Sequence, residues 1–68
     1  LARIFKERYH TAPKGAAVIS IHLFGIEFAE ELAGQPLKEI CLRAGVPVSY
    51  GTEIFKGMRL SQFVSLKP

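Results

Sequence analysis

Two apolar stripes of helical period, joined across a single glycine, constrain this chain more than any other feature. Leu37, Ile40, Cys41 and Ala44 fall at spacings of three and four and mark one face of a short helix that stops at Gly45. After the turn Gly45-Val46-Pro47, Gly51, Ile54, Phe55 and Met58 repeat that spacing, while Ser49, Thr52, Glu53 and Lys56 repeat it on nearly the opposite side. The second helix therefore packs with one face and looks outward with the other. A small residue, Cys41, stands where the two helices must cross, and Gly45 stands at the sharp turn. Val46 is an apolar plug after the turn, and Ile54 an apolar anchor in the second helix.

Together these features specify a helix-turn-helix unit from about Pro36 to Gly57. The rest of the chain reads as its support. Leu1, Ile4, Phe5 and Tyr9 give the first segment one apolar face, and Pro13 with Gly15 ends that helix and permits a turn. From Ala16 to Ala33 the pattern predicts one continuous helix. Its apolar arc (Val18, Ile19, Ile21, Phe24, Ile26, Phe28, Ala29, Leu32) is too wide for an ordinary surface helix, so it is central to the bundle or shared with a second copy. Only Ser20, Glu27, Glu30 and Glu31 define a polar side. Gly25 lies within the arc and costs a helix about 1 kcal/mol against alanine, which fits a place where another helix comes close. A strand over Val18–Leu23 is the alternative, since β-branched residues cluster there. Gly34 is suited to closing this helix in the left-handed conformation, and Pro36 to the first turn of the next.

A length of 68 residues leaves room for one domain, residues 1–68, and the expected class is an all-α small helical bundle containing the helix-turn-helix. Phe63–Leu66 is expected to pack as a short extended C-terminal tail. A winged helix, with that tail as a strand, is the structural alternative. The single cysteine forms no internal bridge and fits a reducing compartment, no secretory signal pattern is present, and the most apolar segment is too short for a membrane span. The expected location is cytoplasmic, and the start at Leu1 suggests a processed protein or a fragment. Net charge is +3, and the excess lies after Gly34, where Lys38, Arg43, Lys56, Arg59 and Lys67 outnumber Glu39 and Glu53. A basic half of this kind attracts phosphate. No cofactor, metal or catalytic residue is expected. His10, His22 and Cys41 lack the paired spacings of zinc sites, the sequence contains no aspartate, and no nucleophile is spaced with a base. His22 reads as a hydrogen-bonded core or interface histidine.

The run LKEICLRAGVPVSYGTEIFKG (37–57) resembles the helix-turn-helix of lambda-repressor-like (Cro/C1-type) DNA-binding proteins, and the flanking IHLFGIEFAEELAG and KGMRLSQFVSLK resemble small bacterial HTH-like proteins. The resemblance implies major-groove binding of double-stranded DNA by a helix from about Val48 to Lys56. On that basis Ser49, Thr52, Glu53 and Lys56 are the candidates to reach base edges, with Val48 against a thymine methyl group. Lys38, Arg43, Arg59 and the Tyr50 hydroxyl are candidates for phosphate. Tyr50 sits between the two faces, so its partial burial is an equal alternative. Three residues depart from the family pattern: Pro47 where a capping serine is usual, which leaves Ser49 as the cap; Gly51 in place of an apolar plug; and Glu53, an acid on the outward face. A bacterial transcriptional regulator or mobile-element protein, alone or as a homodimer, is the expected function. A protein-interaction module that keeps the same core is the alternative.

Overall fold

The structure is a computed structural model that describes residues 1–67. It contains five α-helices and, among the described residues, no strand: α1 (Ala2–Thr11), α2 (Ala17–Glu27), α3 (Ala29–Leu32), α4 (Leu37–Ala44) and α5 (Gly51–Leu60), with a 3-10 turn at Val48–Tyr50 leading into α5. The all-α bundle is as expected, and neither the strand over Val18–Leu23 nor the wing forms. Among the described residues no helix holds a side-chain hydrogen bond at its N-cap.

The chain turns where the sequence supplies the turning residues. Ala12 is extended (φ −62°, ψ 139°) because the ring of Pro13 disfavours a helical residue before it. Gly45 takes φ 71° and ψ 27°, a left-handed conformation open to glycine without penalty. Its amide donates to Leu42 O at 3.1 Å and that of Val46 to Cys41 O at 2.9 Å, the paired bonds that satisfy the last carbonyls of α4. Pro36 lies one residue before α4 and not within its first turn. Its carbonyl accepts from Glu39 N (3.1 Å) and Ile40 N (3.2 Å).

Three expectations are corrected. The long helix from Ala16 to Ala33 is bent at Phe28, whose backbone (φ −108°, ψ 24°) divides α2 from α3. The distortion falls where the Phe28 ring is seated between Phe24, with centroids 5.2 Å apart, and the Arg8 guanidinium, 5.2 Å above it, while Leu32 beyond the bend remains fully buried. Hydrogen bonds run through the bend, from Phe28 N to Phe24 O and from Leu32 N to Phe28 O. The start of α5 carries no Ser49 cap. The Pro47 carbonyl accepts from Tyr50 N at 3.0 Å and seeds the 3-10 turn, and α5 then runs on to Leu60, past the expected end at Lys56. Finally, Phe63 does not join the tail: it belongs to the turn that follows α5 and is 81% exposed, while Val64–Leu66 run without regular structure beside Ile26 and Glu30.

That core is drawn from every helix: Phe5 of α1, Ile21 and Phe24 of α2, Leu32 of α3, Ile40, Cys41 and Ala44 of α4, Val46 of the turn and Ile54 of α5. Phe5 and Phe24 stack with centroids 4.8 Å apart. Cys41 is fully buried at the α4 crossing, and desolvation pushes its thiol pKa up. Ile4, expected on the packed face of α1, is exposed instead.

α2 and α5 meet through glycines. A Cβ built on Gly25 would lie 3.0 Å from Gly57 Cα and 3.0 Å from Met58 N, and one on Gly57 would lie 3.0 Å from Gly25 Cα. Each approach is closer than a side-chain carbon tolerates, and the obstacle is backbone, which cannot swing aside. The close approach expected at Gly25 is thus made by Gly57. At Gly51 the situation is the reverse. An added Cβ there would lie 3.7 Å from both Leu37 Cβ and Lys38 N, in ordinary contact.

Two alanine substitutions should therefore have opposite signs. Gly25→Ala is expected to cost about 3 kcal/mol by overpacking, a large part of the roughly 3–10 kcal/mol available to a chain of this length. Gly51→Ala is expected to gain up to about 1 kcal/mol from helix propensity. Urea unfolding of both variants checks this, and a Gly25→Ala protein as stable as its parent would refute the backbone crossing.

Candidate nucleic-acid interface

The crossing at Gly25 and Gly57 decides which side chains of α5 remain free. Gly51, Ile54 and Gly57 are buried, and Met58 is half-buried beside the core. Val48, Ser49, Thr52, Lys56 and Arg59 are exposed along the 3-10 turn and α5.

Two residues exchange the sides expected of them. Phe55 was placed on the packed face and is 51% exposed, because glycine-mediated contact with α2 brings Gly57 inward and leaves Phe55 beside Thr52 and Arg59. Glu53 was placed on the outward face, yet its side chain is only 20% exposed and bound within the protein. Its Oε1 is 2.7 Å from His22 Nε2 of α2, and its Oε2 accepts from Lys56 Nζ at 3.1 Å. The hydrogen bonds from His22 and then Lys56 hold the Glu53 carboxyl pKa below its ordinary value. His22 is thus the hydrogen-bonded interface histidine expected, and its partner is the acid that departed from the repressor pattern.

The remaining candidates do not all lie together. Lys38, Val48, Ser49, Thr52 and Phe55, with Leu37 and Gly51, line one open groove between the first turn of α4 and the outer face of α5. Arg59 borders the adjoining surface with Phe55 on one side and with Lys56 and His22 on the other. Among the described residues neither Lys38 nor Arg59 forms an ion pair, while Lys56 is paired only with Glu53 in a bond open to solvent. Arg43 stands apart. It reaches Glu39 at 3.4 Å and lines a separate crevice against Leu1 and Ala2 of the α1 end. Tyr50 is half-buried, its ring centroid 5.8 Å from that of Tyr9, and burial together with the neighbouring Tyr50 raises the Tyr9 phenol pKa.

On the far side of α2, Arg8 clasps Glu27 with both guanidinium nitrogens (2.6 and 3.1 Å), and Ser20 Oγ donates to Arg8 O at 3.2 Å. These bonds fix α1 to α2, so Ser20 and Glu27 of the polar side expected there serve α1. Among the described residues no three metal-binding side chains come together, and no helix is long and apolar enough to cross a membrane.

The family model described as an HTH-like domain matches residues 1–67, so the match spans α4, the turn and α5 together with the helices that carry them. The chain belongs to this HTH-like domain family, a membership that points to DNA binding in general. No curated protein and no solved structure matches the chain.

Sequence reasoning missed the union of His22 with Glu53 and the exposure of Phe55. The usable signal was Gly57, three residues after Ile54 and so on the same side of α5, facing a helix that also carries a glycine in its apolar arc.

Because the Glu53 pKa is lowered on folding, its contribution to stability is present at neutral pH, above the unfolded value, and is lost as pH falls through the folded value. Carboxyl-carbon NMR titration should find Glu53 below the glutamate norm of about 4.3, and His22→Ala should move it upward. Glu53→Gln should melt lower than the parent at pH 7, with the gap closing in acid. A normal Glu53 titration in the parent would contradict the geometry.

Proposed function

We propose that this domain binds double-stranded DNA, with α5 and the turn before it in the major groove, as part of a bacterial transcriptional regulator or mobile-element protein. The observation that carries this reading is the outer arc of the second helix of the helix-turn-helix. Val48, Ser49, Thr52, Lys56 and Arg59 are exposed there, Lys38 stands at the rim, and the one acid of the arc is drawn toward α2 by its hydrogen bond with His22. A free carboxylate on that surface would repel phosphate, whereas Glu53 is engaged by His22 and ties α5 to α2. The exposed pair Lys56–Glu53 holds Lys56 only weakly, so the ammonium is available to DNA.

In this reading Lys38, Lys56 and Arg59 contact phosphates, and Ser49, Thr52 and Val48 face base edges. Arg43 and Tyr50 drop out of the contact set, the first by its place near α1 and the second by its packing on Tyr9. Neutralising three phosphates gives a slope of about −2.7 for log affinity against log salt. Affinity should then fall about forty-fold from 50 to 200 mM salt, and Arg59→Ala should make the slope shallower by about 0.9. Fluorescence titration of labelled duplexes measures both. Binding that is absent, or indifferent to salt, removes the proposal.

A second reading has its own observation: Val18, Ile19 and Leu23 are exposed on α2, with Ile19 at 59%. In the DNA-binding reading two copies pair through this face, matching the two-fold symmetry of a two-part duplex site. In the alternative, a different protein covers it and the domain is an interaction module. Lys56→Ala with Arg59→Ala separates the two readings, since it sharply weakens DNA affinity and flattens its salt dependence in the first and leaves partner binding unchanged in the second. Sedimentation should show a concentration-dependent dimer that Leu23→Glu dissociates, and a monomer at all concentrations would end the pairing.

A further inference from the structure

The groove between α4 and α5 has an apolar floor that phosphate contacts alone leave unexplained. Val48, Thr52 and Phe55 follow one another at spacings of four and three, so they share one side of the helix. Val48 is 42% and Phe55 51% exposed, on the surface where charge is most useful to a DNA-binding domain. Resting on the DNA-binding reading above, we infer that this surface selects A·T base pairs, with Phe55 and Val48 packed on thymine methyl groups.

The chemistry of the groove edges drives the assignment. The only apolar group that base pairs offer in the major groove is the C5 methyl of thymine. An aromatic ring left half in water gains from covering such a group. Thr52 adds the complementary half of the pair. Its hydroxyl proton is donated to the Ser49 carbonyl at 3.0 Å, which leaves the oxygen as an acceptor. In an A·T pair the adenine N6 amino group is a matching donor, as cytosine N4 is in a G·C pair, so Thr52 is compatible with A·T and the methyl contacts carry the selection. Lys38, at the rim of the same groove, and Arg59, next to Phe55, supply positive charge on either side of the apolar floor, as a duplex requires and an apolar protein segment does not.

The test begins with selection of duplexes from a random pool by the whole chain. The preferred site should carry thymines, and replacing each in turn by deoxyuridine, which removes the methyl and keeps the pairing, should identify positions that each cost about four-fold in affinity. Phe55→Ala, checked for unchanged fold by circular dichroism, should bind thymine and deoxyuridine duplexes equally, and Val48→Ala should do so at a different thymine. If the parent binds the two duplexes equally, or selection enriches no thymine while salt-dependent binding persists, the inference is overturned, DNA binding stands, and the groove is left to a protein partner. Absence of any DNA binding overturns both readings.

Discussion

Everything in this domain follows from the contact of two backbones at Gly25 and Gly57. Helices that meet through side chains stand 8–10 Å apart. Here the lack of a Cβ on both sides brings α2 onto α5 directly, and Ile54 and Phe24 close around the contact. A small chain has little apolar surface to bury, so close approach compensates by giving each buried group more neighbours. The same contact sets the rotation of α5 about its axis. With Gly57 turned inward, Phe55 has no place in the core, and Glu53 comes within reach of His22.

This rotation separates what the sequence disclosed from what it concealed. Spacing located α1, α4, the Gly45 turn and α5, because the period of each apolar stripe is a property of one helix and needs no knowledge of its neighbours. Gly25 is legible as a point of close approach for the same reason. Its partner was not, because pairing glycines over thirty residues apart depends on how whole helices dock. Likewise Phe55 fits the apolar stripe of α5 by spacing, and only the docking angle shows that the stripe is truncated there. The bend at Phe28 has no local marker such as proline, and it arises where the ring sits between Phe24 and Arg8. Most of the candidate interface was legible residue by residue, Phe55 being the exception. The grouping of Lys38 with Val48, Thr52 and Phe55 in one groove, with Arg43 and Tyr50 placed outside that groove, depends on the packing of α4 on α1 and α5.

The acid at position 53 shows how a departure from a pattern can be absorbed by the scaffold. On an isolated helix Glu53 would place negative charge among residues suited to phosphate. Docked on α2, it accepts from Lys56 and pairs with His22, and the surface is left with its cations. One carboxylate thus joins two helices, and the hydrogen bonds from His22 and then Lys56 hold it below its ordinary pKa.

The absence of side-chain caps on the described helices carries a further meaning. Helices of eight to eleven residues, such as α1, α2, α4 and α5, are too short to persist alone in water, and no side-chain cap at their N-termini compensates. Each exists only as part of the packed whole. The domain should then behave as a single cooperative folding unit, with the slowest amide protons of every helix exchanging through the same global opening. The outward side chains of α5 are accordingly presented together or not at all, with no partly ordered form of the surface for a ligand to select.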